Sequence, residues 1–221
     1  MQQGNTISAW TAALEAIQNG QAQLPVLSLD TLSPANTVLV VMDMVGGFVE
    51  KGPLASPRVK AIQAGIARLQ RQCAAHRIPR LAFADSHDQN CPEFSVFPAH
   101  CVRGTAEAEI TAEILNAGVE QIIEKNSTNG FLEPAFQHWL AAHAQTDTFL
   151  LTGDCTDLCV MQFALALKAD FNRRNQHCRV IVPTALVETY DLGEHNAGLM
   201  NTLALYQMRL GGVELVSNIV D

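Results

Sequence analysis

The sequence predicts an α/β fold, a six-stranded parallel sheet between two layers of helices. Three observations carry that expectation. Short runs such as Thr37–Met42 (TVLVVM) and 148–151 are apolar at consecutive positions, as strands covered on both faces are. Segments with apolar residues at helical spacing alternate with these runs, the pattern of strand–helix units. The chain's 221 residues are 48% hydrophobic and 16% charged, enough for one well-filled core.

Taken in order, residues 1–35 read as an N-terminal helical extension. Residues 8–17 form a helix with Trp10, Leu14 and Ile17 on one face, and a turn-rich stretch with Pro25, Ser33 and Pro34 follows. Residues 36–221 form the α/β domain. Its first strand is Thr37–Met42. Residues 57–76 make a long helix with Val59, Ile62, Ile66 and Leu69 at helical spacing. Strand 80–84 follows, then helix 106–117 with glutamates near its start, where the helix dipole favours them. Strand 121–124 leads to helix 132–144, with Pro134 in its first turn. Strand 148–151 precedes helix 157–175. Strand Arg179–Pro183, helix 194–210 and an edge strand at 213–216 complete the domain.

Composition narrows the function. A formal charge of −8 without any Lys/Arg-rich stretch argues against a nucleic-acid partner. No apolar run reaches the ~18 residues of a membrane span. The first residues lack a basic start and apolar middle, so the expected location is cytoplasmic. The six cysteines are spread along the chain, which points to reduced thiols rather than a disulfide framework. So apolar a chain is also expected to bury surface in a homo-oligomer.

Chemistry-bearing residues fall where strands end. In a parallel sheet the carboxyl edge collects them: Asp43, Asp85, Lys125 and the stretch from Gly153 to Cys159. Cys159 lies where a strand turns into a helix, near the positive end of the dipole. Its thiolate is expected to be favoured there and its pKa to fall below about 8.5. Asp43 is the candidate base for the thiol, and the Lys125 ammonium would stabilise both anions. Taken singly, an Asp at a strand end is as often a cap, and a buried Cys inert packing. A second group is Asp85 and His87, with Glu93 and His100 beyond them. These residue types suit zinc, iron(II) or manganese, although spacing alone slightly favours solvated loop residues.

The stretches VVMDMVGGFVEKGPL, DSHDQNCPEFSVFPAHCVRGTAEAE, EKNSTNGF and GDCTDLCVMQFALALKADF resemble those of the isochorismatase-like cysteine hydrolases, and most closely the nicotinamidases. The resemblance implies a three-layer fold and a catalytic triad of Asp43, Lys125 and Cys159. It implies one divalent metal ion, zinc with iron or manganese as alternatives, held by Asp85, His87, Glu93 and His100. It implies aromatic rings at Phe48 and Phe97 around a flat substrate, with Phe131 beside them. It also implies an oxyanion site at the backbone N–H groups of Cys155 and Cys159, after a cis peptide at Asp154–Cys155. The activity implied is hydrolysis of nicotinamide or a similar heteroaromatic primary amide through a thioester, with a small-molecule amide as the partner. The chain departs from the family in places. Val45-Gly46-Gly47 stands where Gln-Asn-Asp is common, Phe97 replaces a frequent Trp, and Asp154-Cys155 replaces small or aliphatic residues.

Two other readings stay open on sequence. One is a metal-free amidase of the same family acting on a carbamoyl or ureido compound, with Arg103 as the candidate clamp for a substrate carboxylate. The other is a catalytically silent protein that keeps the fold.

Overall fold

The computed structural model describes residues 2–221, with side-chain surroundings from residue 6 onward. The elements are α1 (Gln2–Gln21), β1 (Val26–Ser28), β2 (Thr37–Met42), α2 (Gly46–Val49), α3 (Pro57–Ala75), β3 (Arg80–Asp85), α4 (Ala112–Asn116), β4 (Gln121–Lys125), α5 (Pro134–Ala142), β5 (Thr148–Asp154), α6 (Met161–Arg173), β6 (Arg179–Pro183), β7 (Val187–Glu188), α7 (Ala197–Leu210), β8 (Glu214–Val216) and β9 (Asn218–Val220).

The main sheet is parallel, in the order β4-β3-β2-β5-β6-β8, as the consecutive apolar runs predict. The two-residue β7 joins it beside the end of β5, and β1 pairs separately with β9. Strand side chains alternate between the two faces. Leu39 and Val41 therefore enter one core with Val59, Ile66 and Leu69 of α3 and Ile114 of α4. Val38, Val40 and Met42 enter the other with Phe136 and Trp139 of α5, Phe163 and Leu167 of α6, and Leu205 and Met208 of α7. Every residue of β2 is buried, which is why its sequence shows no polar alternation.

Local chemistry sets where the longer helices begin. The Ser56 hydroxyl accepts from Arg58 N–H (3.2 Å), and Pro57 opens α3. The Asn196 side chain accepts from Leu199 N–H (2.9 Å) at the start of α7, three residues later than the sequence suggested.

The helix expected over 106–117 is only Ala112–Asn116. The residues before it spend their carbonyls on another segment. Gly46 N–H donates to Glu109 O and Gly47 N–H to Glu107 O, both at 2.9 Å, and Val45 bridges Ile110. A Cβ on Gly46 would stand 2.3 Å from Ala106 O, so glycine is what lets these two segments close on each other.

The region before residue 36 has two parts. The α1 helix is mostly exposed, whereas β1 is paired in its small sheet and Leu29 is fully buried.

Candidate active site

Strand register brings the predicted residues level with one another. Met42 pairs with both Phe83 and Gly153, and Asp85 pairs with Lys125. Asp43, Asp85, Lys125 and the stretch after Gly153 therefore share one sheet edge. Strand order also reverses direction between β2 and β5, because the chain runs outward through β3 and β4 before returning to β5. A crevice at such a switch point is where open α/β sheets hold ligands.

Lys125 is the hub. Its Nζ lies 3.0 Å from Asp43 Oδ2, 2.6 Å from Asp85 Oδ1 and 3.5 Å from Cys159 Sγ, and it donates to Ser127 O at 3.2 Å. Asp43 and Lys125 are fully buried, and Asp85 and Cys159 nearly so. Burial alone would strip Lys125 of its proton, but the Asp43 and Asp85 carboxylates hold its pKa well above the usual value. Burial would likewise raise Asp85, yet Lys125 and the imidazoles of His100 and His87 keep it ionised, below the usual carboxylate range. Asp43 has less help. Burial outweighs its attraction to Lys125, and its pKa is pushed up to about 6. Asp154, fully buried with Asp43 nearby, is pushed far above the usual carboxylate range.

One expectation is reversed here. Burial pushes the Cys159 thiol up rather than down; Lys125 pulls it back, but Asp43, Asp85 and Asp154 oppose that pull. Burial thus favours the thiol form of the residue over the thiolate.

The turn that carries Cys159 also differs from a plain helix start. β5 runs on to Asp154, the Asp154–Cys155 peptide is cis, and Thr156–Val160 forms one π-helical turn before α6. Gly153 has φ +108°, and a Cβ there would lie 1.9 Å from Met42 O, so no other residue fits against β2 at this point.

Asp85, His87 and His100 form a second cluster, with ligand atoms all within 4.8 Å of one another. His87 Nε2 lies 2.9 Å and His100 Nε2 3.2 Å from Asp85 Oδ2. His100 Nδ1 is 2.8 Å from Pro98 O, an atom that can only accept, so Nδ1 carries the hydrogen. Nε2 is therefore the nitrogen that His100 turns to the Asp85 carboxylate. One carboxylate and two imidazoles suit zinc, iron(II) or manganese, so the residues fit the implied ion. Glu93 stands outside the tight trio. Its Oε2 is 4.0 Å from His87 Nε2, while its Oε1 accepts from Thr128 N–H at 2.9 Å.

A cleft opens above both clusters, lined by Phe48, Leu54, Asp85, Glu93, Phe97, His100, Thr128, Cys155, Leu158, Cys159 and Tyr190. Phe48 and Phe97 are in this lining, with ring centroids 5.6 and 6.2 Å from that of His100. Phe131 is not; its ring packs toward Phe136, 5.9 Å away, beneath α5. Arg103 is also outside the lining, engaged by Asp88, by Ser86 O at 3.2 Å and by Glu124 at 3.4 Å. Sequence reasoning missed Leu54, Thr128 and Leu158, all of which lie in or beside the stretches that carry the resemblance. Tyr190 belongs to the polar segment after β6 and was not singled out from the sequence.

Comparison with known proteins gives a consistent result. The chain is 29% identical over 214 residues to nicotinamidase 1 of Arabidopsis thaliana, covering 82% of this chain and 85% of that protein. N-carbamoylsarcosine amidase from Thermoplasma acidophilum superposes with a TM-score of 0.66 at 26% identity, over 82% of this chain and 95% of that one. PnC1 from L. infantum, solved in complex with nicotinate, has the same fold, with a TM-score of 0.72 at 20% identity over 90% of this chain and 100% of that one. Residues 37–208 match the isochorismatase domain from the first strand of the main sheet through most of α7, and the chain belongs to the isochorismatase family.

Proposed function

We propose that this chain hydrolyses a heteroaromatic primary amide, nicotinamide foremost, to the carboxylic acid and ammonia, with Cys159 as nucleophile. The observation that carries the reading is the contact of one buried ammonium, Lys125 Nζ, with Asp43, Asp85 and Cys159 at the floor of an aromatic-walled cleft. The relatives named above, a nicotinamidase and an amidase, support amide hydrolysis as the reaction class.

In this reading Asp43 takes the proton of Cys159 as the sulfur attacks the carboxamide carbon. Lys125 compensates the charge that moves from carboxylate to sulfur. The backbone N–H groups of Cys155 and Cys159 receive the oxyanion. Asp43 returns its proton to the departing ammonia, leaving a thioester on Cys159. A water deprotonated by Asp43 then hydrolyses the thioester, releasing the acid and restoring the thiol. Phe48 and Phe97 confine the ring. Asp85, His87 and His100 would hold a divalent metal ion, zinc foremost, with Glu93 reaching it directly or through water. Such an ion supplies a Lewis-acid contact for the ring nitrogen.

The charge of the cleft favours an uncharged substrate. Among the described residues its lining contains no Arg or Lys, and Arg103 is committed elsewhere. A carbamoyl amino acid would bring a carboxylate to a lining that offers no Arg or Lys side chain to clamp it.

The test is ammonia release from a panel of aryl and alkyl primary amides and N-carbamoyl amino acids, before and after chelation and after metal is restored. Turnover of heteroaromatic amides that falls on chelation and returns with metal is expected. A preference for N-carbamoyl acids, indifferent to the chelator, would contradict the reading.

A further inference from the structure

The loop between β7 and α7 folds back over the active site and is pinned by one histidine. Leu192 and His195 exchange backbone hydrogen bonds of 3.1 and 2.9 Å, closing the loop. His195 Nδ1 lies 2.8 Å from Tyr190 O and, since a carbonyl only accepts, donates to it. The imidazole stacks on the Tyr190 ring, centroids 4.3 Å apart and planes 14° apart. Its other nitrogen, Nε2, lies 2.7 Å from Asp157 Oδ2.

Both ends of this arrangement reach the reaction centre. Tyr190 lines the cleft together with Cys155, Leu158 and Cys159. Asp157 belongs to the π-helical turn Thr156–Val160, two residues before the nucleophile, and its side chain is only 3% exposed. The other carboxyl oxygen, Oδ1, is buried without a hydrogen-bond partner among the described residues. His195 is thus a charge-assisted partner for an acid that has little else to satisfy it. Without it, the turn must shift to bring Asp157 to water, and Cys159 moves with the turn.

We propose that His195 is a positioning residue for the nucleophile, holding the Cys159 turn through Asp157 and the Tyr190 wall of the cleft through its ring. This rests on the amide-hydrolase reading above. His195 touches neither substrate nor sulfur; it acts through the two residues it joins.

The experiment compares wild type, His195→Ala and His195→Gln in steady-state amide hydrolysis, with the alkylation rate of Cys159 by iodoacetamide followed on the same proteins by peptide mass. Gln can still donate to Asp157 but cannot stack on Tyr190 as imidazole does. His195→Ala is expected to lower kcat about tenfold or more, as small displacements of a reacting group do, and to change the alkylation rate. His195→Gln is expected to recover kcat to within about threefold of wild type while KM stays raised, because the hydrogen bond returns and the stack does not. A kcat for His195→Ala within twofold of wild type, or no recovery in a folded His195→Gln protein, would overturn the proposal. If His195→Ala does not fold, His195→Gln decides: raised KM with near-normal kcat supports the proposal, and unchanged KM opposes it. Alkylation separates the two levels of the argument. A changed Cys159 rate in a protein whose wild type turns over no amide would sink the substrate reading and leave the positioning role standing.

Discussion

Burying one ammonium among two carboxylates and a thiol makes each group depend on the others. Lys125 has its charge fixed by Asp43 and Asp85, and the two carboxylates tolerate burial because Lys125 is there. Breaking such a set leaves uncompensated buried charge. Lys125→Met is therefore expected to destabilise the fold by about 3–5 kcal/mol as well as stop turnover; an unchanged thermal or urea denaturation midpoint would contradict the coupling. In the proposed reaction Asp43 also sets the pH dependence. With its pKa pushed up to about 6, it is protonated below that pH and cannot accept the thiol proton. The plot of kcat/KM against pH is expected to fall about tenfold per unit on the acid side of pH 6, and a flat profile down to pH 4 would remove Asp43 as the base. At this scale the meeting of Asp43, Lys125 and Cys159 was legible, because strand ends in a parallel sheet share an edge. The acidity of Cys159 was not. It depends on how many carboxylates surround a buried sulfur, and sequence spacing does not count them. Phe131 shows the same limit: a ring near the site in sequence turned toward Phe136 instead.

At the scale of elements, the site is shaped by segments that depart from regular structure. The strand before Cys159 was read as 148–151 and extends to Asp154, because Thr152, Gly153 and Asp154 continue the β2 and β7 pairing where an apolar pattern no longer marks it. Gly153 is the hinge of that extension. Gly153→Ala is expected to cost about 2–4 kcal/mol of stability, from the positive φ and the collision with Met42 O. A denaturation midpoint equal to wild type would show that β2 and β5 can part without penalty. The shortened α4 has a similar cause. Its glutamate-rich pattern is genuinely helical, but hydrogen bonds from Gly46 and Gly47 draw residues 107–109 into the wall of the site. Such tertiary pairing overrides local preference and leaves little trace in composition.

At the scale of the molecule, a parallel sheet covered on both faces was readable in advance, since consecutive apolar strands alternate with helices. The packing of the first residues was not. The α1 helix leaves Ile7 and Trp10 60% and 64% exposed and is tied to α7 near its end, where Gln21 Nε2 donates to Thr202 O at 2.9 Å. The proposed catalytic edge lies on other elements, so removing residues 1–20 is expected to leave kcat/KM within about twofold of the full chain, as for surface changes remote from a site. A loss of activity in the shortened protein would assign α1 a role in the cleft. In the proposed reaction the whole arrangement serves one event, attack by the sulfur at the switch point between β2 and β5. Its most direct test is ammonia release from nicotinamide by metal-loaded wild type and Cys159→Ala, each verified as folded. Steady release by the wild type and a loss of about 10³-fold or more in the variant are expected; turnover by Cys159→Ala near the wild-type rate would contradict the account.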